Sequence, residues 1–109
     1  MSAITTHVLD AVLGKPAAGV HVRLDQLAGE AWTIISLGAT DADGRCRGLA
    51  PSATRGSYRL SFATGEYLTH LGRATIYPEI IITFQCDGDA HYHLPLLLSD
   101  NSYTTYRGS

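Results

Sequence analysis

A repeated alternation of apolar and polar residues is the feature that most constrains the fold of this chain. The clearest case is the segment 20–25, in which three aliphatic residues alternate with three polar ones. A period of two places one set of side chains on the core face of a β-strand and the other set on the solvent face. Turn residues separate further segments of this kind, and together they predict strands at 4–10, 20–25, 32–37, 46–49, 57–63, 79–86, 91–98 and 103–109.

One segment departs from this period. In residues 64–72, Tyr67, Leu68 and Leu71 fall at helical spacing, with Thr64 as a candidate cap and Gly72 as a candidate residue just past the helix end. About eight amphipathic strands and one short helix predict an all-β protein, an antiparallel sandwich of two sheets. The 109 residues form a single domain, 1–109, that needs neither disulfides nor metals to bury a core.

Two strands are expected to supply bulk to the core. Trp32, Ile34 and Ile35 predict that the third strand packs inward, and the triple isoleucine 80–82 predicts a strand that is buried on nearly both faces. The turn residues 87–89 predict a hairpin from that strand into 91–98. Pro95 cannot donate a ladder hydrogen bond, so we expect it at a sheet edge or a bulge.

Charge and composition exclude several classes of function. The net charge is -2, and the 8 lysines and arginines form no cluster that could attract nucleic acid or an anionic membrane. No apolar run approaches the roughly 20 residues of a membrane span. Cys46 and Cys86 are far apart and form no CxxC motif, and no signal peptide is visible at the start. We therefore expect a cytoplasmic protein.

Three polar residues outside the predicted core could carry chemistry. His7 lies on the first strand, Arg45 follows a glycine turn, and His93 lies on the strand 91–98. Imidazole can move a proton near neutral pH, and arginine is shaped to hold a planar, oxygen-rich group. A single exposed histidine is more often an ordinary solvated side chain, so the three residues matter only as a set.

A metal site is an alternative interpretation of the same histidines. His91 and His93 share a strand face, and His7 could supply a third ligand. Neither an HExxH nor a CxxC motif accompanies them, and we expect no metal or other cofactor. Asp41 and Asp43 precede a glycine in a DxDG turn, but the glutamate of a calcium loop is missing, which favours a turn.

The final residues, 103–109, contain two tyrosines and an arginine but no polar tail. We expect this segment to pack against the protein. The simplest way to cover the sheet edges near this segment is for copies of the protein to form an oligomer. In a symmetric oligomer, the shallow face with His7, Arg45 and His93 would become an enclosed site at the interface.

Several motifs cover nearly the whole chain in order and at consistent spacing. They are Thr6-His7-Val8-Leu9-Asp10 followed by Gly14-Lys15-Pro16-Ala17, the turn Thr40-Asp41-Ala42-Asp43-Gly44-Arg45, Tyr77-Pro78-Glu79, His91-Tyr92-His93-Leu94-Pro95-Leu96-Leu97-Leu98-Ser99, and Tyr106-Arg107-Gly108-Ser109. In these motifs the chain resembles the 5-hydroxyisourate hydrolases, the transthyretin-like enzymes of purine breakdown. The terminal Tyr-Arg-Gly-Ser is the most specific of them, because the hormone-carrying relatives lack it.

The resemblance implies a transthyretin-like (prealbumin-like) sandwich that forms a homotetramer, a dimer of dimers, with substrate sites between the dimers. It also implies hydrolytic opening of the six-membered ring of 5-hydroxyisourate without a metal. The residues that it marks as catalytic are His7, His93, Arg45 and Ser109, and those that it marks as substrate-binding are His7, Arg45, Tyr106 and Arg107. Which histidine is the base, and whether Arg45 or Arg47 points into the site, stay open. The alternative is a transthyretin-type carrier that binds a small ligand without turnover.

Overall fold

A computed structural model of the chain describes residues 3–88 and 90–109. In these ranges the strands are β1 (Ile4–Asp10), β2 (Lys15–Pro16), β3 (His21–Ala28), β4 (Ala31–Ala39), β5 (Arg45–Ala50), β6 (Gly56–Phe62), β7 (Ile80–Cys86), β8 (Tyr92–Leu98) and β9 (Tyr103–Thr105), and the helix α1 (Thr64–His70) lies between β6 and β7. The predicted all-β class and the single short helix are confirmed.

The described strands form two sheets. One has the order β2-β1-β8-β9, with β5 also paired to β1, and the other has the order β4-β3-β6-β7. Most neighbours run antiparallel, but β1 and β8 run parallel in a continuous register from Ile4 opposite Tyr92 to Asp10 opposite Leu98. Strand β1 therefore lies between β5 and β8, the two strands that carry Arg45 and His93.

The core lies between the inward faces of the two sheets. Along β1, buried residues alternate with half-buried ones, as the period of two predicts. Ile4, Val8, Leu24, Leu60 and Leu96 are each 0% exposed. Burial of an aliphatic side chain of this size contributes about 1.5–3 kcal/mol, so these residues hold the strands at the spacing that the site needs.

The prediction that β4 supplies bulk to the core is wrong. Ile34 and Ile35 are 57% and 43% exposed, and Trp32 is half-buried. The inward positions of β4 hold small residues instead, because β5 passes close beneath them: the Ser36 hydroxyl donates to the Leu49 carbonyl, and a methyl group added at Gly38 would lie 2.7 Å from the Cys46 sulfur. Sheet β4-β3-β6-β7 thus presents an apolar outer face along β4.

Strand β7 is half-buried rather than buried on both faces, since Ile81 is 43% exposed. It pairs with β6, whereas β8 pairs with β1 and β9, so the residues after β7 lead from one sheet to the other and do not form the predicted hairpin. Asp89, the last residue of that predicted turn, lies outside the described residues.

Pro95 lies in β8, an interior strand, rather than at an edge. Its carbonyl accepts a hydrogen bond from the Thr105 hydroxyl, so its backbone faces β9. On that side the ladder is interrupted between the pairing of β9 with Leu96–Leu98 and an isolated bridge from His93 to Gly108. The missing N–H of proline therefore falls where no strand requires it.

The helix α1 begins after Ala63, and no side chain caps it, so the expected Thr64 cap is wrong. Its end matches the prediction: Gly72 has a φ of 72°, its N–H donates to the Thr69 carbonyl, and the Arg73 N–H donates to the Leu68 carbonyl. This pair of bonds is a Schellman motif. Among the described residues, no helix is long and apolar enough to cross a membrane.

An ionic cluster around the buried Asp10, at the end of β1, fixes this strand to the helix and to the β8–β9 turn. The Arg73 guanidinium donates to Asp10 at 2.5 Å and to Asp100 at 2.6 Å, and the Tyr67 hydroxyl donates to Asp10 at 2.8 Å. Burial acts to raise the pKa of Asp10, but the hydrogen bonds from Arg73, from the Leu13 N–H and from Tyr67 hold it below its usual value.

Candidate active site

The turn that precedes β5 places Arg45 next to His7. Asp41 forms the turn as predicted: its Oδ1 accepts the N–H groups of Asp43 at 2.9 Å and of Arg45 at 3.0 Å. Gly44 follows with a φ of 78°, and a side chain there would meet the Val8 carbonyl at 2.3 Å. The turn can therefore lie directly on β1, where the Asp43 carbonyl accepts a hydrogen bond from His7 Nε2 at 2.7 Å.

The parallel register of β1 and β8 brings Thr5 opposite His93. The Thr5 hydroxyl lies 2.8 Å from His93 Nδ1 and 3.2 Å from His91 Nε2. The two imidazole rings are nearly parallel, with their centroids 6.5 Å apart and an interplanar angle of 14°. One hydroxyl thus connects two histidines, and the hydrogen bond at Nδ1 leaves Nε2 of His93 for other partners.

The end of the chain packs on the His93 ring. The Gly108 N–H donates to the His93 carbonyl at 2.7 Å. A methyl group added at Gly108 would lie 2.7 Å from His93 Cδ2, closer than carbon atoms normally approach. Only glycine lets the backbone lie this close, so residue 108 helps to set where the ring stands.

These residues border a cavity of about 560 Å³. Its lining consists of Thr5, Thr6, Arg45, Cys46, Arg47, Gly48, Pro51, His91, His93 and Ser109. The volume falls within the range of about 300–1,000 Å³ that small-molecule sites occupy. Two imidazoles, two guanidinium groups and several hydroxyl groups give the cavity a positive, hydrogen-bonding character that suits a planar molecule rich in oxygen.

The cavity shifts the acid–base behaviour of His93. Its partial burial, followed by the positive charge of Arg45 and by the neighbouring His7 and His91, lowers the pKa of His93 below its ordinary value. A lowered pKa keeps more of this imidazole neutral at a given pH, which is the form that can accept a proton.

The sequence did not decide whether Arg45 or Arg47 points into the site. Both line the cavity, but only Arg47 has a carboxylate partner among the described residues. Arg47 lies 3.3 Å from the Asp41 carboxylate. Within residues 3–88 and 90–109, Arg45 forms no ion pair with a carboxylate, and its charge acts on His93 instead. Arg45 is therefore the cation that can bind an anionic group in the cavity without giving up an existing partner.

The structure brings together His93, Arg45 and Ser109, with His7 beside them on β1 opposite Arg45. It does not bring Tyr106 or Arg107 into the cavity lining. Tyr106 is 55% exposed. The Arg107 guanidinium lies 4.2 Å from the centre of the Tyr92 ring, in a cation–π contact that supports the tail. The substrate-binding roles of these two residues stay predictions.

Sequence reasoning missed Thr5 and passed over His91 except as a possible metal ligand. A signal for Thr5 was available, because a period of two places it on the same face of β1 as His7. Its importance depends on the pairing of β1 with β8, which no local pattern predicts. As for a metal, the described part of the chain contains no group of three or more His, Cys, Asp or Glu side chains that could hold one.

Comparison with known proteins identifies relatives of this chain both by sequence and by structure. The model of the HIUase/Transthyretin family matches residues 4–108. The chain is 47% identical to a 5-hydroxyisourate hydrolase of Mesorhizobium japonicum, over 97% of this chain and 91% of that protein. Among solved structures, it superposes on transthyretin from Sparus aurata with a TM-score of 0.95 and 34% identity, over 99% of this chain and 97% of that one.

A 5-hydroxyisourate hydrolase of Klebsiella pneumoniae is a second structural relative, with a TM-score of 0.84 and 34% identity over 97% of this chain and 92% of that one. These similarities extend over almost the full length and include both sheets. This chain therefore belongs to the HIUase/Transthyretin family.

Proposed function

We propose that this protein is a 5-hydroxyisourate hydrolase. It opens the six-membered ring of 5-hydroxyisourate with water and gives 2-oxo-4-hydroxy-4-carboxy-5-ureidoimidazoline, a step of urate degradation. The observation that carries the proposal is the cavity in which His93, with a lowered pKa, faces Arg45, a cation that has no carboxylate partner among the described residues. The relatives named hydrolases support the same substrate.

In the proposed mechanism His93 is the general base. Because Thr5 occupies Nδ1, the Nε2 atom accepts a proton from water as the water attacks the ring carbonyl. Arg45 binds the planar substrate and stabilises the negative charge that develops on the carbonyl oxygen. Ser109 supplies a further hydrogen-bonding group to the same cavity.

His7 acts beside this pair. Its Nε2 donates to the Asp43 carbonyl, which leaves Nδ1 as the atom that carries a lone pair in the neutral ring. The ring stands opposite Arg45 in the β1–β5 register. We assign it to binding and to orienting the substrate, whereas the base is His93.

The proposal includes a homotetramer, a dimer of dimers, with the sites at the interface between dimers. Strands β7 and β9 each have one partner among the described strands, so each has an open edge. Tyr103 and Tyr106, in and just after β9, are 42% and 55% exposed. Light scattering after size exclusion, over a range of concentrations, tests the assembly, and a monomer at assay concentration would overturn it.

The activity is tested with 5-hydroxyisourate generated in situ by oxidation of urate. The protein should accelerate the decay of the substrate's absorbance beyond the spontaneous rate. His93→Ala and Arg45→Gln should each remove most of the acceleration, while His70→Ala, which changes an exposed histidine at the end of α1, should not. A general base contributes about 10²- to 10⁴-fold to a rate, which sets the size of the expected loss for His93→Ala.

One structural relative favours a second candidate function. The superposition on the Sparus aurata transthyretin is closer than that on the Klebsiella hydrolase, which would suit a carrier that binds a small aromatic ligand. The charged and imidazole-rich lining of the cavity argues against this candidate. If the absorbance decays at the spontaneous rate with and without protein, the hydrolase is refuted and the carrier takes its place.

A further inference from the structure

The Thr5 hydroxyl joins His93 to His91, and this arrangement has consequences beyond holding a ring in place. A hydroxyl has one hydrogen to donate and two lone pairs with which to accept. The Thr5 hydroxyl lies 2.8 Å from Nδ1 of His93 and 3.2 Å from Nε2 of His91. If it donates its hydrogen to one imidazole, it can only accept a hydrogen bond from the other. The protonation states of the two rings are therefore coupled.

We propose that Thr5 is a positioning residue that sets the tautomer of His93 and passes a proton from Nδ1 of His93 to His91. The inference rests on the proposed function, since it concerns the same base and the same hydrolysis. It adds a route by which the positive charge can leave His93 after this residue has taken a proton from water.

Of the two directions that these contacts allow, the proposed resting state uses the one that leaves Nε2 of His93 free to accept a proton. His93 then donates its Nδ1–H to Thr5, and Thr5 donates its hydroxyl hydrogen to His91 Nε2. The lone pair of His93 then lies at Nε2, where it can receive a proton from the attacking water. Without the Thr5 acceptor, a neutral imidazole gains nothing from keeping its hydrogen on Nδ1, and Nε2 loses its role as a base.

The relay step balances as follows. Once Nε2 of His93 has gained a proton, the ring is a cation that still carries its Nδ1–H. That Nδ1–H bond breaks as a bond forms to Thr5 Oγ1, and the Thr5 hydrogen moves to His91 Nε2. His93 becomes neutral with its remaining hydrogen on Nε2, Thr5 is again a hydroxyl, and the positive charge lies on His91.

The surroundings favour this direction of transfer. His93 is half-buried and lies near the charge of Arg45 and near His7, all of which disfavour a cation there. His91 lies at the exposed end of the pair, so water solvates its cation better. When the substrate ring opens, His93 gives its Nε2–H to the ring nitrogen that departs, and the same path run backwards returns a hydrogen from His91 through Thr5 to Nδ1, which restores the resting tautomer.

Thr5→Val tests the proposal, because valine keeps the branched shape of threonine but has no hydroxyl. We expect kcat to fall by about 10- to 100-fold with KM little changed, as for a misplaced catalytic group. Thr5→Ser keeps a hydroxyl and should restore most of kcat. Thr33→Val, the same change at an exposed position of β4, is the matched control and should behave like the wild type.

His91→Ala separates the relay from simple positioning. This variant keeps the Thr5 contact to His93 but removes the acceptor of the proton. In dilute buffer kcat should fall, and it should recover as imidazole buffer is added, because the buffer takes over proton removal. Wild-type kcat should not respond to added imidazole. Failure of imidazole to restore His91→Ala would overturn the relay.

A readout that does not need turnover is ¹⁵N NMR of the imidazole rings. Thr5→Val should move neutral His93 from the Nδ1–H tautomer toward the Nε2–H tautomer, and Thr5→Ser should not. If the ring signals of His93 are the same in wild type and Thr5→Val, the proposal is wrong even if the protein is an active hydrolase. If the wild type has no activity, the proposed function fails, and the NMR comparison still decides the tautomer.

Discussion

Replacement of Gly108 by alanine should lower catalytic activity much more than it lowers stability. The added methyl group would lie 2.7 Å from His93 Cδ2, 3.5 Å from His93 Cγ and 3.4 Å from Pro95 Cγ. The clash can be relieved by turning the ring away from its rotamer, at about 0.5–1.5 kcal/mol. It can also be relieved by withdrawing the tail, which breaks the hydrogen bond to the His93 carbonyl at a similar net cost of about 0.5–1.5 kcal/mol.

Rotation of the ring moves the imidazole itself, and withdrawal of the tail moves the chain that supports it, in each case by a substantial part of an ångström. A misplacement of about 1 Å at a reacting group can cost about 10²-fold in rate. We therefore expect Gly108→Ala to lower kcat/KM by about this factor, while the free energy of unfolding falls by only about 1 kcal/mol. Absorbance assays on substrate generated in situ and urea denaturation measure the two quantities on the same preparation.

Gly29→Ala is the matched control. Gly29 lies in the turn between β3 and β4 and does not line the cavity; it has a φ of +66° and open space around the position of the added methyl group. Its strain in the left-handed region should cost about 1–2 kcal/mol in stability and leave kcat/KM unchanged. The reasoning about the tail is refuted if Gly108→Ala retains nearly full kcat/KM.

Three further predictions follow from charges and burial. Because the positive charge of Arg45 helps to lower the pKa of His93, Arg45→Gln should raise that pKa, so the acid limb of the residual pH–rate profile should move to higher pH; a limb that stays in place would contradict this cause. Asp10→Asn should cost about 1.5–3 kcal/mol in a urea titration, because it removes the charge from a buried carboxylate that binds the half-buried Arg73 guanidinium and leaves that cation with Asp100 alone. Since the pKa of Asp10 is lowered on folding, its contribution to wild-type stability is complete above about pH 4 and is lost as the pH falls further, whereas the variant should lack this acid-induced loss. Leu37→Ala on the exposed face of β4 should change stability by less than about 0.5 kcal/mol, while Leu24→Ala in the core should cost about 2–5 kcal/mol, and equal losses would show that the outer face is covered in solution.

Local sequence patterns predicted what depends on near neighbours. Alternation in residues 20–25 predicted the buried positions Val20, Val22 and Leu24 correctly. The DxDG turn places Arg45 correctly because the Asp41 side chain closes the turn by itself. The end of α1 was likewise predictable, since a glycine with a positive φ completes a local set of hydrogen bonds.

What failed depends on distant partners. Nothing within β4 indicates that β5 passes under it and leaves room only for Ser36 and Gly38, so its isoleucines were wrongly expected to be buried in the core. The role of Thr5 likewise depends on a register with β8 that only the folded chain contains. The local pattern named His7, Arg45 and His93 as a set that could carry chemistry, and the resemblance to known enzymes assigned catalytic and substrate-binding roles to them.

The parallel pairing of β1 with β8 also bears on how the protein folds. Thr5 and His93 are separated by 88 positions in the chain, so the cavity cannot exist until the two ends of the sequence have met. Closing a loop of this length has an entropic cost that is recovered only when the full ladder forms, and such non-local pairings slow folding. Hairpins such as β3–β4 need no such closure. The return of catalytic activity after dilution from denaturant should therefore follow the return of β-sheet circular dichroism, so that enzyme activity reports the closure of the chain.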